Sequence, residues 1–178
     1  VQLGKLVLAL YLALIVFVMV LLLAVKLITG VRIGLVLREL REPLLLAFST
    51  TSSESALPKA IATMERLGVP SHIVGFVLPA GYSFNLDGST LYLALASLFI
   101  AQATGKYLSP TTQIEMMLTL LLASKGVAAV PRASLVVLAS TCAAYGLKVE
   151  WIATILGVDA VMDMARTTVN VTGNALAS

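Results

Sequence analysis

"SFNLDGST", residues 83–90, sets an Asn, an Asp and a Gly between two long apolar runs. The stretch around it, 71–105, is otherwise fit to cross a bilayer. A charge inside a spanning helix costs from ~2.5 to more than 10 kcal/mol, so it persists where it faces a cavity, a partner or a ligand. The rest of the chain supports a membrane setting. It is 178 residues long, 59% hydrophobic and only 12% charged, with a mean hydropathy of +0.99. A soluble domain is about half apolar and a quarter charged. Residues 6–25 carry no charge and lie between Lys5 and Lys26. About 20 apolar residues are what a helix needs to span the hydrocarbon core. The run is too long for a signal peptide, and no small-residue cleavage site follows it. The chain reads as an all-α integral membrane protein. The net charge of +3 comes without a basic patch, so nucleic acid is not an expected partner. A single cysteine, Cys142, excludes an internal disulfide and a cysteine metal cluster. The start at Val1 rather than Met, and the stop at Ser178 within a helical pattern, read as a piece of a longer protein.

The pattern along the chain predicts five parts. Residues 1–30 are a transmembrane helix closed by Gly30. Residues 31–68 combine a surface segment, "VRIGLVLRELREP" (31–43), with a re-entrant hairpin. The apolar arm of that hairpin, 44–48, is too short to cross, and its tip falls near Ser52 and Ser53. Residues 70–105 are a broken transmembrane helix, interrupted by Pro79, Gly81 and the 85–88 group. Residues 110–146 repeat the hairpin pattern, with a small-residue, Pro-bearing tip at 128–131. Residues 149–178 are a polar transmembrane helix. Non-helical backbone at membrane depth is tolerable only when buried in protein or facing water. A hairpin followed by a polar helix thus occurs twice. Paired Gly/Pro-interrupted segments in corresponding halves point to a transporter binding site.

The last helix carries the sharpest signal. With about 100° per residue and Asp163 at zero, Asp159 falls at about −40°, Arg166 −60°, Thr167 +40°, Asn170 −20° and Asn174 +20°. Val161, Met162, Met164, Val169 and Val171 lie outside that arc. Asp163 and Arg166 as a purely structural pair would leave the Thr and both Asn residues unexplained. In "NLDG", Asn85 and Asp87 are hard oxygen ligands, and an unwound turn frees carbonyls beside them. That set suits a dehydrated Na⁺ or a proton on Asp87, and Gly88 lets the chain pass closely. The plain alternative is a helix kink with a solvated Asp.

At "TSSES…P" (51–58), "SFNLDGSTLYLALASLFIAQ" (83–102), "SKG" (124–126) and "DMARTTVNVTGNAL" (163–176), the chain resembles the glutamate transporter family, the dicarboxylate/amino acid:cation symporters. Within that family it looks most like the bacterial proton/sodium-glutamate symporters. The resemblance covers nearly the whole chain. It implies an inverted-repeat elevator fold, in which the chain is the C-terminal part of the transport domain and the N-terminal scaffold half lies outside it. It also implies a homotrimer held together by that scaffold, in the bacterial inner membrane. The activity implied is uptake of glutamate or aspartate coupled to H⁺ or Na⁺, without an organic cofactor and without enzymatic chemistry.

Roles carry over residue by residue. Arg166 matches the arginine that holds the substrate's side-chain carboxylate, for which its planar fork is suited. Asp163 matches the acid on the α-amino group. Thr167 and Asn170 match contacts to the amino and α-carboxylate ends, and Ser89 a hydroxyl of the broken helix. Ser52 and Ser53 match the first hairpin tip and Val130 the second. For cations, Gly81, Asn85 and Asn170 match carbonyl or amide donors, and Asp87 the carboxylate of a deeper site, with Na⁺ at Asn85 and Asp87. Ser83, Leu86, Ser124, Lys125 and Val127 match positions lining another cation site.

Three departures from the family pattern stand out. Asn174 occupies a position where sodium-coupled members carry an Asp, and proton-coupled bacterial relatives often have Asn there, which favours proton coupling. The tip "VAAVPRAS" (127–134) lacks the usual glycines; Ala129 and Ser134 stiffen it and Arg132 adds a charge. Thr51 replaces an arginine found in some members. Asp163 separates the acidic amino acids from the alternative within the family, C4-dicarboxylates, which carry no ammonium. An intramembrane aspartyl protease could be drawn from Asp87 and Asp163, but no Gly-x-Gly-Asp motif surrounds either and Arg166 would spoil proton sharing.

Overall fold

The computed structural model describes residues 2–84, 86–125 and 133–178. Among these the chain is helical, without strands. The first helix, α1 (Gln2–Thr29), is followed by α2 (Ile33–Thr50), α3 (Ser53–Arg66), α4 (Ser71–Phe84), α5 (Asp87–Ala103), α6 (Pro110–Ser124), α7 (Ala133–Ala144), a short 3₁₀ turn at Val149–Trp151 and α8 (Ile152–Ala177). Both α1 and the segment Ser71–Ala103, taken across its break, are long and apolar enough to cross a bilayer. Much of α1 presents exposed apolar side chains, including Leu8, Leu12, Val16 and Val20, as a helix facing lipid does.

Two boundaries differ from the sequence expectation. The segment 31–43 is not a separate surface stretch. It is continuous with residues 44–50 in one helix, α2, which runs through Pro43. Pro43 is buried, and α2, which packs along α3, continues past it. The break in 70–105 is also narrower than expected. Pro79 and Gly81 lie inside α4, which runs to Phe84, and α5 starts at Asp87.

The connection between α2 and α3 is tight. Thr51 takes the left-handed conformation at φ 53°, an unusual geometry for a β-branched residue. Ser52 then caps α3, its hydroxyl accepting from the Ser55 N–H at 3.2 Å. Helices α6 and α7 pack beside each other as a second pair.

The interior divides into layers that meet on α8. Leu6, Leu10 and Leu14 of α1, Tyr92, Leu93 and Ile100 of α5, Met116 and Leu120 of α6, and Leu138 and Cys142 of α7 pack with Ile155, Met162 and Ala165 of α8. Val36 and Leu40 of α2, Ala60 and Met64 of α3, and Val74 and Leu78 of α4 pack with Ala175 near the other end of α8. Ala47 and Ala56 close on Val171 between them. The broken helix therefore gives α4 to one layer and α5 to the other. Its break lies against the middle of α8, where the polar stripe runs.

Candidate functional site

The polar stripe of α8 faces inward. Asp159, Arg166, Thr167, Asn170 and Asn174 are buried, while Asp163 is partly open, its side chain 24% exposed. A helix wheel gives the shared face; only the packing of α5, α2 and α3 against it turns that face into an interior.

Arg166 is the centre of the cluster. Its side chain is 3% exposed. Its Nε donates to Asp163 Oδ1 at 2.9 Å, and its Nη2 stands 2.8 Å from the same oxygen. Thr167 Oγ1 donates to that oxygen too, at 3.3 Å. On the far side Nη1 lies 3.6 Å from Asp159 Oδ1, an ion pair too long for a hydrogen bond. One face of the guanidinium rests on the Tyr92 ring, 4.2 Å from its centroid, a cation–π contact that gains strength away from water. The buried cation is thus matched by two carboxylates and an aromatic face, as a charge at this depth requires.

Asn170 joins the other half of the site. Its Oδ1 accepts the Gly88 backbone N–H at 2.8 Å, and its Nδ2 donates to Ser89 Oγ at 3.2 Å. The first turn of α5 is thereby pinned to α8, with its helix-dipole positive end at the break. Gly88 is required there: a Cβ would collide with the Arg166 carbonyl oxygen. Gly81 has the same relation to Asn174, whose side-chain oxygen occupies the space a Cβ would need. Asp87 opens α5. Thr90 Oγ1 and Ser124 Oγ share a hydrogen bond at 3.1 Å, so the end of α6 is tied to the same turn of α5.

Of the residues named from sequence, Ser89, Asp163, Arg166, Thr167 and Asn170 come together as one polar cluster. Gly81 and Asn174 form a contact beside it. Ser83 lies in the last turn of α4, and Ser124 is buried at the end of α6. Ala47 of α2 and Ala56 of α3 pack on Val171 of α8, while the Ser52 hydroxyl caps α3. Asn85, Val127, Ala129, Val130 and Arg132 lie outside the described residues. Two participants escaped the sequence reading. Tyr92 had no role there, although it sits one turn after Ser89 on α5. Asp159 was placed on the stripe without a partner, although its spacing of seven from Arg166 puts it two turns away on the same face.

All of residues 1–178 match the model of the sodium:dicarboxylate symporter family. The chain belongs to that family. Its relatives include the proton/sodium-glutamate symport protein of Bacillus subtilis, 50% identical over 178 residues, which covers all of this chain and 42% of the relative. The proton/glutamate-aspartate symporter of Escherichia coli is 50% identical over 175 residues, 98% of this chain and 40% of the relative. The C4-dicarboxylate transport protein of Pseudomonas fluorescens Pf-5 is 48% identical over 179 residues, all of this chain and 40% of the relative. The chain thus spans about two fifths of the length of these relatives. Membership in a symporter family places the chain among transporters rather than enzymes. Together with its two bilayer-length apolar segments, it makes the chain part of a multi-pass membrane protein.

Proposed function

We propose that these residues form the binding core of a symporter that takes up glutamate or aspartate with H⁺ or Na⁺. The observation that carries this reading is Arg166 beside Asp163 on one buried helix face, 2.8 Å apart and open on the Asp163 side. The substrate's side-chain carboxylate pairs with Arg166, its ammonium with Asp163, and Thr167, Asn170 and Ser89 complete the polar lining. An amino acid with a neutral side chain leaves the guanidinium without a substrate partner, and a cationic one is repelled.

The C4-dicarboxylate reading has one specific support, the similarly high identity to the Pseudomonas protein. Overall identity does not separate the two substrate classes, and the site does so through Asp163. That carboxylate repels a second substrate carboxylate and attracts an ammonium.

The coupling cation belongs near Asp87, the carboxylate at the first position of α5. Asn174 beside Gly81 offers an amide oxygen without a charge, which favours H⁺ over Na⁺. The two helix pairs, α2–α3 and α6–α7, serve as re-entrant hairpins entering from opposite sides. Six of the 12 Lys and Arg residues, Lys26, Arg32, Arg38, Arg41, Lys59 and Arg66, fall within positions 26–66, an excess that supports a cytoplasmic position for the first hairpin. The whole unit moves as the carrier of an elevator, against a trimeric scaffold outside these residues, in the bacterial inner membrane.

Competition against labelled glutamate uptake tests the substrate. Aspartate and glutamate compete, while succinate, serine and lysine do so far more weakly. Succinate competing as well as aspartate would reverse the assignment.

A further inference from the structure

Arg166 presents two distinct edges. The Nε–Nη2 edge, with its parallel donors, is the one that binds a carboxylate side-on. In this structure a single oxygen of Asp163 lies against both of its nitrogens, at 2.9 and 2.8 Å. The opposite nitrogen, Nη1, faces Asp159, and the flat of the group lies on Tyr92. The two acids differ in setting. The Asp159 side chain is 9% exposed, within the apolar layer around Ile155 and Met162. The Asp163 side chain is 24% exposed. Asp159 and Tyr92 therefore hold the arginine in place, and Asp163 holds the edge that a substrate needs.

We propose that Asp163 is an internal ligand of Arg166, occupying its carboxylate edge until an ammonium group draws it away. An acidic amino acid then enters by exchanging ion pairs. Its side-chain carboxylate takes the Nε–Nη2 edge as its ammonium takes Asp163, so neither Arg166 nor Asp163 is left without a partner. A dicarboxylate must break the Asp163–Arg166 pair and offers Asp163 nothing in return. Selectivity thus comes from competition inside the protein as well as from the ammonium contact itself. Arg166 keeps its position during the exchange because Asp159 and Tyr92 do not take part in it. The proposal rests on the acidic amino-acid reading above and deepens it.

The test measures the Kd of succinate and of glutamate for the purified intact protein, as wild type, Asp163→Asn and Asp163→Ser. Asp163→Ser vacates the arginine edge, and Asp163→Asn leaves only a neutral acceptor there. Succinate affinity is expected to rise about tenfold and glutamate affinity to fall about tenfold or more. Succinate affinity that is unchanged or lower in the variants overturns the exchange. The glutamate arm is separate: glutamate bound at wild-type strength by both variants overturns the ammonium role itself. Lost glutamate affinity with unchanged succinate affinity leaves that role standing and removes only the exchange. Kd ratios are read from the folded fraction, so partial loss of protein does not affect them. A third arm needs no variant. Methylammonium supplies the missing cation, and saturating amounts should raise wild-type succinate affinity about fivefold. No effect of methylammonium on succinate binding counts against the exchange in the same way.

Discussion

The Asn170 side-chain oxygen accepts the Gly88 backbone N–H at 2.8 Å, across 82 positions of sequence. This contact fastens the broken helix to the polar one. It also gives Asn170 a structural duty besides any contact with a ligand. Removing it leaves a buried donor without its partner, at a cost of about 1–3 kcal/mol. Asn170→Ala is therefore expected to lower the thermal midpoint clearly. Thermal unfolding of the wild type and Asn170→Ala in detergent checks this. An unchanged midpoint would mean the Gly88 bond contributes little.

Gly88→Ala tests how closely the two helices approach. The added methyl meets the Arg166 carbonyl, a backbone atom that cannot swing aside. Overpacking of this kind costs about 1–3 kcal/mol. Gly75 in α4 is the control, because a Cβ there meets nothing within 4 Å. Gly75→Ala should stabilise by about 0.5–1 kcal/mol through helix propensity alone. Thermal midpoints of opposite sign are expected, and a tolerated Gly88→Ala would contradict the close approach.

How much of this was legible in the sequence follows from where each feature's cause lies. The stripe from Asp159 to Asn174 could be read because helical period is a local property. The break could be located for the same reason, since Asn, Asp and Gly are poor company inside an apolar helix. Pro79 misled the reading of its extent. A proline ends a helix when nothing else holds the turn, but α4, with Val74 and Leu78 buried, is packed against α3 and α8. Pro43 misled the first hairpin arm in the same way. Tyr92 was beyond reach, because its place over Arg166 depends on how α5 lies against α8, and an aromatic in an apolar span reads as core. Asp159 had the right angle on the wheel, yet its sharing of the guanidinium is a distance that spacing alone does not give.

Arg166→Cys removes the carboxylate partner and leaves Asp159 and Asp163 without their cation. Losing one member of a buried charge pair costs about 2–5 kcal/mol. Binding of glutamate and aspartate should be abolished in the assayed range, while neutral amino acids gain measurable affinity. A glutamate Kd close to that of wild type would reject Arg166 as the carboxylate ligand.

Asp87→Asn keeps the size and much of the hydrogen-bonding capacity of the side chain and deletes its charge. If the coupling cation meets Asp87, the variant should still reach the membrane but fail to concentrate substrate. Uptake with expression checked in parallel decides this. Wild-type accumulation under both imposed ion gradients would make Asp87 a structural residue.

The most direct test of acidic amino-acid symport is uptake of labelled glutamate into proteoliposomes of the intact protein, with proton and sodium gradients imposed separately. The wild type is expected to accumulate glutamate against its gradient when an inward proton gradient is imposed, with sodium alone giving less, and Arg166→Cys is expected to accumulate none under either. Failure of the wild type to accumulate glutamate under both gradients, or equal accumulation by Arg166→Cys, would contradict the account.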